Sequence, residues 1–83
     1  MPKYLDHHKA VDLPPAVMKQ IGDAIKAGKP DANGLRPING FTGKNGDGWC
    51  LMEAPNVDAV AKLHQTLGIK VGKKDIVEVT SVV

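Results

Sequence analysis

Proline and glycine residues divide this chain into short segments, and this punctuation constrains the fold more than any other feature of the sequence. Leu13-Pro14-Pro15 precedes an apolar stripe at four-residue steps, formed by Val17, Ile21 and Ile25, and Gly28 follows the stripe. Proline is tolerated in the first turn of a helix, where the amide hydrogens have no partner within the helix, and glycine commonly ends one. The pattern therefore predicts a first helix that stops at Gly28.

A proline before the segment and a glycine after it also predict a second helix. Pro55-Asn56 supplies a cap, Asp58 in the first turn is favourable to the helix dipole, and Gly68 closes the segment. The residues of its apolar stripe recur at three- and four-residue spacing: Val57, Val60, Ala61, His64 and Leu67. We therefore expect His64 to lie on the buried face of this helix.

Four further segments favour strands. They cover residues 3–9, 35–41, 49–53 and 75–82, and the last is rich in β-branched residues. Asn45-Gly46 and Asp47-Gly48 predict a hairpin between the second and third strands, because both pairs accept positive φ. Pro37 has no amide hydrogen to donate, so the second strand is expected at an edge of the sheet.

The resulting order is strand, helix, strand, strand, helix, strand. This is the split βαβ or ferredoxin-like plan, an α+β fold in which two helices cover one face of a four-stranded antiparallel sheet. We expect a single domain over residues 1–83. The other face of the sheet is uncovered, and in so small a chain such a face usually pairs with a second subunit. The sequence thus predicts a homo-oligomer.

Composition argues against several classes of function. Eleven basic and nine acidic residues leave a net charge of +2, and one Trp, one Tyr and one Phe provide few platforms for bases, so nucleic-acid binding is not expected. Lys70, Lys73 and Lys74 are interpreted as solvated lysines around a turn. No apolar run approaches the roughly 20 residues of a membrane span. A single cysteine and no apolar signal segment favour the cytoplasm.

The residues that could ligate a metal are scattered in sequence but converge in the predicted fold. The end of the first strand, the start of the third and the C-terminal end of the second helix share one end of the sheet, and they hold His8, Cys50 and His64. Imidazole and thiolate suit nickel, zinc, copper or iron. Asp6 shares a strand face with His8 and is either a further ligand or a group that orients the imidazole. We therefore predict a transition-metal site.

Strand alternation leaves open which of two adjacent histidines faces that site. Asp6 and His8 share one face, whereas Leu5 and His7 share the other. The apolar Leu5 favours its own face as the one beneath the helices, which puts His7 rather than His8 beside His64. Either histidine is a candidate ligand on this reasoning. Taken singly, a lone cysteine or a helix-face histidine is more often an ordinary core residue.

Three segments resemble those of a family of small bacterial nickel-binding proteins otherwise catalogued as a domain of unknown function. They are Tyr4-Leu5-Asp6-His7-His8, then Trp49-Cys50-Leu51-Met52-Glu53-Ala54-Pro55, then Val60-Ala61-Lys62-Leu63-His64 with Gly68. That family has a ferredoxin-like fold, self-associates, and carries an Asp-x-His, a Cys-Leu-x-Glu-x-Pro stretch and a histidine in the second helix.

The resemblance implies a nickel ion, with zinc or copper as alternatives, held by residues at matching positions. These positions are Asp6, His8, Cys50 and His64, and the resemblance favours His8 over His7. The chain departs from the family where Leu35-Arg36-Pro37-Ile38-Asn39 replaces a histidine-bearing segment, which bears on the full coordination of the metal.

Other functions are compatible with some of the same residues. Cys50 and His64 could form a thiolate–imidazolium pair in an enzyme, or the chain could be a dimeric interaction module with incidental histidines. The segment Gly40 to Asn45 lacks the spacing and the hydroxyl residue of a phosphate loop and is interpreted as a glycine-rich hairpin. Asp31-Ala32-Asn33-Gly34 lacks the later glutamate of a calcium loop and is interpreted as a turn.

Overall fold

The computed structural model describes residues 1–69 and 71–82 of the chain. Within them lie six main elements: β1 (Lys3–His8), α1 (Pro15–Ala27), β2 (Arg36–Thr42), β3 (Gly48–Glu53), α2 (Val57–Leu67) and β4 (Ile76–Val79). Short 3-10 turns at Ala10–Asp12 and Lys73–Asp75 precede α1 and β4. The order of strands and helices is the predicted one.

The four strands form one antiparallel sheet in the order β2-β3-β1-β4. Side chains from both helices, among them Ile21, Val57 and Leu63, pack against the core on one face of this sheet. The ferredoxin-like fold is thereby confirmed. β2 lies at an edge, as Pro37 predicts, and its register with β3 shifts between Pro37 and Asn39.

Local sequence signals account for the bounds of both helices. α1 begins at Pro15 and ends at Gly28, which has a φ of 66°. The side chain of Asn56 accepts a hydrogen bond from the amide of Ala59 and caps α2, and Gly68 ends it with a φ of 73°. A left-handed φ is most favourable for glycine, so these two glycines fix where each helix stops.

The assignment of the sheet faces corrects one expectation from the sequence. Tyr4, Asp6 and His8 lie beneath the helices and are buried, whereas Leu5 and His7 lie on the other face. The expectation that Leu5 lies on the helix side was wrong, because Leu5 pairs with apolar residues of the open face, Leu51 and Val77. The aromatic ring of Tyr4 takes the core position instead.

The last strand is shorter than the predicted span of residues 75–82. β4 ends at Val79, which pairs with Lys3, the first residue of β1. The residue before Lys3 is Pro2, which has no amide hydrogen with which to continue the ladder. The partner strand therefore limits β4, whereas β-branched composition alone does not mark an end.

The face of the sheet away from the helices carries apolar side chains. Leu5, Trp49 and Leu51 are partly exposed there, and Val77 and Phe41 are 58% and 57% exposed.

Lys73 and Lys74 are exposed, as predicted for solvated lysines, and Lys73 pairs with Asp58; Lys70 lies outside the described residues. Over the part of the chain that the structure describes, no helix has the length and apolarity to cross a membrane.

Candidate metal centre

Three buried polar side chains meet beneath α2. Asp6 and His8 are two residues apart on β1 and therefore point to the same face, and His64 comes down from α2 onto them. Their exposed fractions are 0%, 1% and 2%. One donor atom from each lies within 4.8 Å of the others. This Asp6–His8–His64 cluster has no other charged group of the described residues buried with it.

The ring nitrogens of the cluster crowd around one carboxylate. Nε2 of His8 lies 2.6 Å from Oδ1 of Asp6, and Nε2 of His64 lies 3.0 Å from Oδ2. The two Nε2 atoms are 3.3 Å apart, and the rings are tilted by 35° with their centres 4.7 Å apart. Both imidazoles thus direct the same type of nitrogen to one small region.

The backbone of α2 determines which nitrogen His64 offers. Nδ1 of His64 lies 2.6 Å from the carbonyl oxygen of Val60, one turn earlier in the helix. A carbonyl oxygen can only accept, so Nδ1 carries the proton in this contact. Nε2 of a neutral His64 is then a bare lone pair directed at the cluster. Metal-ligating histidines are commonly held through their second nitrogen in this way.

The carboxylate of Asp6 is also fixed by the backbone. Its Oδ1 accepts a hydrogen bond of 3.2 Å from the amide of Cys50, the residue directly across from it in β3. Among the described residues, Oδ2 of Asp6 and Nδ1 of His8 have no aligned hydrogen-bond partner, although both atoms are buried. Buried polar atoms are rarely left without a partner, so the cluster has unused capacity for a proton or a cation.

Charge within the cluster is arranged around Asp6. Burial raises the pKa of Asp6, but the contacts with His64 and His8 outweigh burial and hold the pKa below its ordinary value. Burial lowers the pKa of His64, yet the carboxylate of Asp6 and the carbonyl of Val60 outweigh it, and the pKa of His64 is raised. In the absence of a metal, an ionised Asp6 and a protonated His64 stabilise each other.

The glycine across the sheet from His8 leaves room for the side chain of Leu13. Gly48 is buried and pairs with His8. A Cβ at Gly48 would stand 2.7 Å from Cδ1 of Leu13 and 4.0 Å from Cδ2 of His8. A residue with a Cβ at this position would have to displace Leu13, whereas its Cβ would be in ordinary van der Waals contact with the His8 ring.

Cys50 lies next to the cluster, but its sulfur is outside the group of mutually close donor atoms. The thiol is buried, and burial together with the negative charge of Asp6 raises the pKa of Cys50 to about 12. A raised pKa is the opposite of the shift that activates a cysteine nucleophile, so the environment of Cys50 does not favour a thiolate–imidazolium pair with His64. As a metal ligand, Cys50 would have to lose its proton on binding.

His7 belongs to a different environment on the open face. Its Nε2 lies 2.9 Å from Oδ2 of Asp47, and its ring stacks on Trp49 with centres 5.1 Å apart. Asp47 also accepts a hydrogen bond from the amide of Ala10. The choice between the two histidines that alternation left open is therefore decided, since only His8 reaches His64.

The turn predicted at residues 31–34 and the glycine-rich hairpin predicted before β3 are both present. Oδ1 of Asp31 accepts hydrogen bonds from the amides of Asn33 and Leu35, and the carbonyl of Asp31 accepts one from Gly34. The glycine-rich hairpin between β2 and β3 is closed by hydrogen bonds that join Gly43 to Asp47 and Gly46 to Gly43.

A cavity borders the cluster on the helix side of the sheet. It has a volume of about 120 Å³ and lies between α1 and α2. His8, Cys50 and His64 contribute to its wall, together with apolar side chains such as Ile21 and Leu63. The donor cluster is thus buried from bulk water yet adjacent to open space.

The donor spacing fits a transition-metal ion. Metal–donor bonds of about 2.0–2.1 Å at angles near 90–109° put neighbouring donor atoms about 2.8–3.4 Å apart. The contacts of 3.0 Å between Nε2 of His64 and Oδ2 of Asp6 and of 3.3 Å between the two histidines lie within this range, whereas the 2.6 Å between Nε2 of His8 and Oδ1 of Asp6 is a hydrogen-bond distance. Oδ2 is therefore the carboxylate oxygen with the spacing of a ligand. Two imidazoles and one carboxylate form a donor set that suits divalent transition metals.

The fold defines a small α+β protein of ferredoxin-like architecture, and the comparisons with known proteins agree at that level. The sequence matches no protein-family model and no curated protein. The structure is similar to the crystal structure of SCO4226 from Streptomyces coelicolor A3(2), with a TM-score of 0.70. The two sequences are 24% identical, over 98% of this chain and 99% of that chain. This likeness shows the fold alone.

Proposed function

We propose that the protein binds a divalent transition-metal ion through Asp6, His8 and His64. The observation that carries the proposal is the hydrogen bond between Nδ1 of His64 and the Val60 carbonyl, which directs a bare Nε2 at the Asp6 carboxylate. A lone pair 3.0 Å from an anionic oxygen is repulsive unless a positive charge lies between them. Either a proton or a metal ion can supply that charge.

The distances support a metal ion as the physiological occupant. Protons shared with Asp6 would account for each histidine separately, but the two Nε2 atoms also lie within 3.3 Å of one another. Two imidazole nitrogens so close together are unfavourable without a shared cation or a proton between them. A metal would accept one lone pair from each ring and one from Oδ2 of Asp6, which has no aligned hydrogen-bond donor among the described residues.

Nickel is the ion that we propose, with zinc or copper as alternatives. Imidazole nitrogen suits all three, and the motifs around Asp6, His8 and Cys50 resemble those of nickel-binding proteins. Cys50 is a candidate fourth donor, because its backbone is already tied to Asp6. We propose sequestration, delivery or sensing of the metal in the cytoplasm as the role of the protein.

The open sheet face supports the further proposal of a homo-oligomer. Leu5, Leu51 and Val77 form an apolar patch across β1, β3 and β4, and Phe41 and Trp49 extend it toward β2. Patches of this kind on small proteins mark protein–protein contacts. The partner that we propose is a second copy of this chain, related to the first by a two-fold axis, so that the same apolar patch is buried on both copies.

Direct metal titration tests the proposed function. Reduced, metal-free protein is titrated with nickel, zinc and copper against a chromophoric chelator, and we expect one ion per chain with a dissociation constant at or below the micromolar range. X-ray absorption of the loaded protein should report nitrogen and oxygen donors from two imidazoles and a carboxylate. Absence of uptake of all three ions at micromolar concentration would refute the proposal.

A further inference from the structure

The cavity between α1 and α2 is larger than a metal ion needs and different in character from the cluster. Its walls include the hydrocarbon side chains of Ile25, Leu35 and Leu67, none of which can ligate a metal. Gln20, Lys29 and Asp31 are its other polar lining residues besides His8 and His64. An apolar cavity of about 150 Å³ is enough to bind benzene, so a cavity of about 120 Å³ suits a small apolar ligand.

The polar end of the cavity coincides with the proposed metal site. His8 and His64 both line the cavity, and both are buried. Three protein donors leave at least one coordination position on a divalent ion for another ligand. A molecule in the cavity would therefore meet the metal ion through its head group and the apolar walls through its body.

Charge balance indicates which head group fits. In the three-donor centre, with Cys50 protonated and not a ligand, a divalent ion with the single negative charge of Asp6 and two neutral imidazoles has a net charge of +1. A charge of this kind beside apolar walls is costly unless a counter-charge accompanies it. One monoanionic ligand would neutralise the centre, whereas a neutral ligand would not.

We propose that this cavity binds a small, mainly apolar carboxylic acid whose carboxylate completes the coordination of the metal, an inference that rests on the proposed function. The apolar body lies between α1 and α2, in contact with Ile21 and Leu63. The rim residue Ala24, on the exposed side of α1, borders the mouth of the cavity.

Calorimetric titration of the nickel-loaded protein with hexanoate tests this inference, with 1-hexanol as the neutral ligand of equal chain length. We expect hexanoate to bind at least about tenfold more tightly than hexanol, and at least about tenfold more tightly to the loaded than to the metal-free protein. Nuclear magnetic resonance should show shifts of the Ile21 and Leu63 methyl groups on addition of hexanoate.

A blocking variant and a matched control locate the binding. Ala24→Trp should close the mouth and reduce hexanoate affinity at least about tenfold without changing nickel uptake. Ala27→Trp lies one turn later on α1, outside the cavity, and should change neither. Hexanoate affinity that equals hexanol affinity, or that survives Ala24→Trp, would overturn the inference while nickel uptake leaves the proposed function standing. A protein that takes up no metal would overturn both.

Discussion

His7 and His8 are neighbours in sequence but lie on opposite faces of the sheet, one stacked on Trp49 and the other buried beside His64. The pair therefore offers a matched test of the metal centre. His8→Ala should lower nickel affinity by about 100-fold or more, because removal of even a group that orients a ligand commonly costs about 10–100-fold. His7→Ala should leave affinity within about threefold of wild type.

The measurement is a competition titration of each variant, with circular dichroism as a control for folding. Equal losses of nickel affinity in the two variants would contradict the assignment of His8. So would a His8→Ala variant that binds nickel as wild type does.

Cys50 gives a spectroscopic test of the fourth donor. Because burial and Asp6 raise the pKa of its thiol to about 12, we expect sulfur ligation only when the metal displaces the proton. Nickel should then produce a thiolate charge-transfer absorption that strengthens as the pH is raised and is absent in Cys50→Ser. Uptake through Asp6, His8 and His64 should persist in that variant. No such absorption up to about pH 9 would exclude Cys50 as a ligand.

The stability of the metal-free protein should fall as the pH rises through the neutral range. The pKa of His64 is raised above 6.5 in the folded state, so its contribution is fully present below about pH 6.5 and is lost as the pH passes the folded value. The pKa of Asp6 is lowered from 3.8, so its contribution is present above that pH and is lost as the pH falls through the folded value.

Urea unfolding near pH 5.5 and pH 8.5 measures this effect. Wild type should lose more free energy of unfolding between the two conditions than His64→Gln, which has no titrating imidazole at that position. An identical pH dependence in the two proteins would show that the Asp6–His64 pair does not form in solution.

Metal affinity should have the opposite dependence on pH. His64 must give up its Nε2 proton to ligate, so nickel competes with protons below the folded pKa of His64. We expect the apparent affinity to fall by up to about tenfold per pH unit for each proton displaced. Calorimetric titration in buffers of different ionisation enthalpy would count the protons released. Binding without proton release at pH 6 would argue against His64 as a ligand.

The open sheet face predicts the effect of a surface charge on assembly. Leu51→Lys puts a cation in the middle of the apolar patch and should raise the dissociation constant of a dimer by about tenfold or more, the scale of losing a well-packed interface side chain. Gln65→Lys on the exposed side of α2 should have no effect. Analytical ultracentrifugation would report both. A wild type that is monomeric at about 100 μM would contradict the proposal of a homo-oligomer.

Much of the fold is predictable because its signals are local. The glycines that end α1 and α2, the cap at Asn56 and the edge position of Pro37 each act within a few residues of chain. The end of β4 depends instead on the length of β1, to which it pairs, and no signal near Val79 marks it. Lengths set by a distant partner are not visible in local composition.

The residues of the candidate site are easier to predict from the sequence than their geometry. Topology alone indicated that His8, Cys50 and His64 share one end of the sheet, and the structure brings His8 and His64 into contact. The face of β1 was assigned wrongly, since Leu5 is apolar and yet lies on the open side. The orientation of His64 depends on the Val60 carbonyl, a backbone group that every residue carries and that the sequence therefore cannot distinguish.

The weak burial of α1 bears on how a metal ion or a small molecule would reach His8 and His64. None of its described side chains is buried, and a second cavity on its other flank shares His8, Ile21, Ile25 and Cys50 with the first. A helix with so few fully enclosed contacts costs little to tilt outward compared with the hydrogen-bonded strands beneath it. We therefore expect access to His8 and His64 to depend on small outward movements of this one helix, while the sheet that holds Asp6 and His8 in register stays intact.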